Sequence, residues 1–135
     1  MHEVPINYWA LVVAALIRIA LGAAWYSPIG FIERWRTAVG IDEATMKAGM
    51  LRAVAFDVVG ALVMAFVLVH AVVYAEAATL GQGAAVGFFN WLGFVAVVLF
   101  SATMHEHRPI RYFMINAGYN LIALILMGAV LAVWR

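Results

Sequence analysis

Cysteine is absent from the 135 residues. Its absence excludes disulfides, thiolate metal sites and cysteine nucleophiles. Charge is scarce too. Only 11% of residues are Asp, Glu, Lys or Arg, against roughly a quarter in soluble domains. The formal net charge of +1 leaves no basic footprint for nucleic acid. The alternating pattern of a membrane β-barrel is also missing, because the apolar residues run on without a break. No phosphate loop is present. Gly81-Gln82-Gly83, with Gly87 after it, has neither a preceding strand nor a lysine followed by serine or threonine. Nothing suggests a catalytic set or a bound cofactor, so the chain reads as a non-enzyme.

Apolar residues fill the space. They make up 67% of the chain and fall in four long runs, each able to cross a hydrocarbon core about 30 Å thick as a helix. The fold class expected is all-α: a polytopic four-transmembrane-helix bundle forming one domain over residues 1–135, in contact with the lipid bilayer. The spans predicted are 6–25, 51–74, 83–103 and 112–134. No lysine or arginine precedes the first run, and Arg18 interrupts it, so a retained span is expected rather than a cleaved signal. The segment between the first two runs predicts a short amphipathic interfacial helix. Asp42 caps it, Glu43 opens it, and it runs into span two.

Two charges lie well inside the runs, Arg18 and Asp57. A charge at that depth costs about 2.5–3.5 kcal/mol on insertion scales and is normally faced by a partner or by water. Arg18 belongs to a series four residues apart: Ala10, Ala14, Arg18, Gly22. Asp57 belongs to another: Gly49, Ala53, Asp57, Ala61, Ala65. Small residues at this spacing let helices approach closely. Arg18 lies about 12 Å before Tyr26, and Asp57 about 8 Å beyond Arg52, measured from the same side. The two are therefore expected to pair within the membrane. Asn116, Tyr119 and Asn120 on the last span enter at similar depth and extend the pair into a polar cluster, structural or transporting. Gly83 and Gly87 form a small-residue pair on span three.

Positive charge sets the expected orientation. The first and third connections carry Arg34, Arg36, Lys47, Arg52, Arg108 and Arg111, and the other side carries Arg135 alone. That bias places those connections in the cytoplasm and both termini outside. His105-Glu106-His107 invites a metal reading. Histidines two apart point to different faces of a helix, however, so a solvated loop without metal is expected.

Three blocks carry a resemblance: GAAWYSPIGF at Gly22–Phe31, NWLGF at Asn90–Phe94, and RPIRYFMINAGYNL at Arg108–Leu121. They resemble signatures of the bacterial membrane family called domain of unknown function 1761. Trp25, Tyr26, Pro28, Trp91, Arg108 and Pro109 are among the matching positions. The resemblance implies a small four-helix protein of the bacterial inner membrane and no established activity. It leads one to expect phenylalanine, an acidic and a basic residue where His105, Glu106 and His107 stand. The function expected is association, as a homo-oligomer or as an auxiliary subunit of a larger membrane complex. The alternative is a small ion- or proton-coupled transporter or channel that uses Arg18 and Asp57.

Overall fold

The computed structural model describes residues 3–135. In chain order it comprises α1 (Tyr8–Trp25), α2 (Ile32–Val39), α3 (Glu43–Tyr74), α4 (Leu80–Trp91), a π-helical turn (Leu92–Ala96), α5 (Val97–His105) and α6 (Ile110–Val133). No strand occurs among the described residues. Four stretches are long and apolar enough to span a membrane: Tyr8–Trp25, Glu43–Tyr74, Leu80–His105 and Ile110–Val133.

Side chains at the helix starts explain where the helices begin. The Asn7 side chain accepts from the Trp9 and Ala10 N–H groups, so α1 opens at Tyr8 rather than at residue 6. Thr79 and Gln82 form a reciprocal capping box, which opens α4 at Leu80. Gly81 and Gln82 therefore lie in the first turn of the helix, ahead of the start expected at residue 83. Satisfying two orphan N–H donors outweighs the helix-weakening effect of the glycines.

The interfacial helix also differs from expectation. A separate short helix precedes the second span, but it is α2, and it stops at Gly40. There φ is +83°, the left-handed conformation that glycine adopts freely. The segment opened by Asp42 does not lie apart at the interface. It continues as α3 for 32 residues, a rod of about 48 Å, longer than the hydrocarbon layer needs.

α6 is the hub, touching α1, α2, α3, α4 and α5. Its closest approach is to α4. A Cβ added at Gly83 would overlap the Gly128 carbonyl, one at Gly128 would overlap the Gly83 carbonyl, and one at Gly87 would overlap the Leu124 carbonyl. The backbones touch because these side chains are absent. α1 and α3 meet through small residues as well. Ala10 and Ala14 are buried on one helix, and Ala61 and Ala65 on the other. The π-helical turn keeps the third span on α6. Buried or half-buried positions step from Gly83 to Gly87 to Trp91, then shift by five to Ala96 before reaching Thr103. One extra residue in the turn accommodates that shift.

The small-residue ladder of α3 packs over only part of its length. Lys47 to Val59 are exposed without interruption, so Gly49, Ala53 and Asp57 are not buried against another helix. Farther along, α3 and α4 diverge around an apolar groove of about 520 Å³, whose lining includes Phe56, Gly60, Met64, Asn90 and Phe94.

Candidate functional site

All three sequence blocks converge on the first half of α6. The block around Trp25 to Phe31 ends α1. There the Ser27 hydroxyl donates to the Ala24 carbonyl at 2.7 Å, and the Phe31 N–H donates to the Trp25 carbonyl at 2.7 Å. The Trp25 carbonyl would otherwise be orphaned at a helix C-terminus, and the Ala24 carbonyl also accepts from the Ser27 N–H at 3.4 Å. Gly30 lies so close to them that a Cβ would collide. The returning Phe31 ring packs on Trp25 with centroids 4.8 Å apart.

This turn aims Trp25 and Tyr26 at α6. The Trp25 indole N–H donates to the Ile115 carbonyl at 3.0 Å. Gly118 makes room for the indole, since a Cβ there would lie 3.3 Å from Trp25 Cζ2. Trp91, from the second block, donates to the Ala117 carbonyl at 2.8 Å. Two tryptophans from two spans thus grip α6 two residues apart. Arg108, from the third block, donates to the Val39 carbonyl at the C-terminus of α2. A cation is favoured at that helix end.

Between α1 and α6 lies a chain of polar contacts. The Tyr26 hydroxyl donates to Asn116 Oδ1 at 2.6 Å. Asn120 Nδ2 donates to the Asn116 carbonyl at 2.9 Å. An Arg18 terminal nitrogen donates to Asn120 Oδ1 at 2.9 Å. The guanidinium carbon lies 4.8 Å from the centre of the Tyr119 ring, a cation–π contact. The Tyr119 hydroxyl donates to the Arg18 carbonyl at 2.9 Å. Gly22 permits that last bond, because its missing Cβ would sit 2.8 Å from the hydroxyl oxygen.

The structure therefore brings together Arg18, Asn116, Tyr119 and Asn120, and adds Tyr26. It does not pair Arg18 with Asp57. The ion pairs among the described residues are Arg36–Glu33 at 2.7 Å, Lys47–Glu43 at 2.9 Å and Arg108–Glu106 at 3.6 Å. An amide dipole and an aromatic face hold the arginine instead, and Asp57 stands on the exposed stretch of α3. Its charge still reaches the cluster. Burial holds the Tyr26 hydroxyl above the usual tyrosine value, Tyr119 adds to the rise, Arg18 opposes it, and Tyr112 and Asp57 push upward.

Tyr26 had a signal in the sequence, since it continues the series Ala10, Ala14, Arg18, Gly22. His105 ends α5 rather than lying in a loop, and Glu106 and His107 form the turn before α6, where His107 has φ +54°; all three are exposed. Glu106 faces Arg108 there, and no three His, Asp or Glu side chains among the described residues gather at one point.

Comparison with known families gives a match over nearly the whole chain. The model for a protein of unknown function, DUF1761, covers residues 9–132. No curated protein matches the chain, and no solved structure does.

Proposed function

The chain belongs to the DUF1761 family, whose function is unknown, and from that premise we propose that it acts by association within a membrane, as a homo-oligomer or as an auxiliary subunit of a larger complex. One observation carries this reading. The stretch of α3 from Lys47 to Val59 is exposed on every side, with small residues and an aspartate on it. Phe56 and Leu51 add apolar bulk at 73% and 84% exposure. Lipid satisfies the apolar side chains but not an aspartate. A protein partner supplies both packing and polarity. The positive-charge bias further supports placing α2 and the turn before α6 in the cytoplasm and both ends of the chain outside.

Transport is the second reading. The polar chain from Tyr26 to Arg18 favours it, since it runs inward from the end of α1. Two of its links are asparagine amides, which do not ionise at ordinary pH, so neither serves as a proton-carrying station of a relay. Association is tested by extracting the protein with its surrounding lipid and weighing the particles. The expected result is more than one polypeptide per particle. Particles holding a single 14.8 kDa chain and nothing else would remove the proposal.

A further inference from the structure

Resting on the association reading, we infer that the partner on α3 is a second copy of this chain, with Asp57 of each copy meeting Arg18 of the other. Within one chain, neither charge has a counter-ion in salt-bridge range among the described residues. Asp57 is exposed, and Arg18 is half-buried with one hydrogen bond, to Asn120. A guanidinium has five N–H donors, so several remain for an acceptor from outside.

Depth makes the two charges complementary. Copies of one membrane protein share an orientation and are related by rotation about the membrane normal, which preserves depth. Counted along the helices, Arg18 lies about 12 Å inward of Tyr26 and Asp57 about 8 Å inward of Arg52, the residues that mark the same side in the sequence. The difference of about 4 Å is within the reach of an arginine side chain. A two-fold axis then makes the contact self-complementary, with one ion pair on each side. The surface around Asp57 suits close approach. A Cβ at Gly49 would meet nothing within 4 Å, and one at Gly60 would meet only the chain's own Phe56 ring. The negative ladder on α3 and the positive position on α1 are thus two halves of one contact, separated onto two molecules.

The absence of natural cysteine allows a clean test. Two differently tagged copies are co-expressed, one carrying Asp57→Cys and the other Arg18→Cys, and the membranes are oxidised. The expected product is a disulfide joining the two tags, absent when both copies carry Asp57→Cys. Arg18→Gln provides a second variant that keeps a donor for Asn120 and removes the charge. It weakens self-association about tenfold in energy transfer between labelled copies, while Arg18→Lys, retaining the charge, stays closer to wild type. Suppose no mixed-tag disulfide forms and Arg18→Gln associates like wild type, while the particles still hold several polypeptides. The second-copy assignment is then overturned, and association through another partner stands. Single-chain particles would overturn both.

Discussion

At the residue scale, Arg18 is a costly side chain for a membrane span, and its immediate neighbours differ in how much they matter to it. Asn120 faces the charge directly. Removing its oxygen in Asn120→Ala orphans a guanidinium N–H and is expected to lower stability by about 1–3 kcal/mol. The Asn116 side chain accepts from the Tyr26 hydroxyl, while Asn120 bonds its backbone carbonyl, which alanine keeps, so Asn116→Ala resembles the loss of one ordinary interhelical hydrogen bond, about 0.6 kcal/mol on average. Steric-trap unfolding of both variants in bilayers checks the order. Equal losses would mean that the charge does not depend on Asn120. Gly22→Ala tests the packing beneath. Its methyl displaces the Tyr119 hydroxyl from the Arg18 carbonyl and is expected to cost about 1–3 kcal/mol, much of it absent in a Tyr119→Phe background.

Asp42 offers a pH handle at the same scale. Its carboxylate accepts from the Thr45 N–H at 2.7 Å, and the bonds from Thr45 hold it below the usual aspartate value. A depressed folded value means the cap contributes above the unfolded value, near 3.9, and is lost as pH falls through the lower one. The Thr45 amide resonance is therefore expected to titrate at a pH below that of an ordinary aspartate. A midpoint at or above it would contradict the cap.

Among the elements, the α4–α6 contact depends most on missing atoms. Gly83, Gly87 and Gly128 each place backbone where a Cβ would stand. Gly87→Leu is expected to force the helices apart and to cost more than 3 kcal/mol, beyond the usual range for overpacking. Gly93→Leu, with nothing within 4 Å of the added Cβ, is expected to be nearly neutral. The pair of variants, compared by thermal stability in one detergent, separates contact from general intolerance of bulk.

The elements also show what could be read in advance. The four-residue spacing reveals that Arg18 shares a face with Gly22 and Tyr26, and that Asn116 shares one with Asn120. Spacing cannot say which faces meet. The α1 stripe fits a small-residue ladder on α3 and a polar stripe on α6 equally well by local rules. In the fold it serves both, with Ala10 and Ala14 in the core shared with α3 and Arg18 bonded to α6. The Arg18–Asp57 pairing assumed that the α3 ladder packs along its whole length, but the ladder leaves the bundle below Gly60. Thr79 with Gln82 was a legible capping signal, obscured by the glycines beside it. α2 is too short and too charged to announce itself through apolar periodicity.

For the whole molecule, α6 is a mast gripped by two tryptophans, an arginine-centred polar cluster and a glycine contact, while half of α3 stands free. Orientation is open to a direct check. Single cysteines replacing Thr37 and His107 are expected to react with an impermeant thiol reagent only from the cytoplasmic face, and one replacing Glu76 only from the opposite face. The reverse pattern would invert the topology and leave the fold as it is.

The most direct measurement is the self-association equilibrium in lipid bilayers, followed by energy transfer as the protein is diluted with lipid. Wild type is expected to associate reversibly, and Asp57→Asn to shift the midpoint by roughly three- to twentyfold, the span of measured intramembrane polar interactions. Coincident curves for the two proteins, or no transfer at any dilution, would contradict an association held by Asp57.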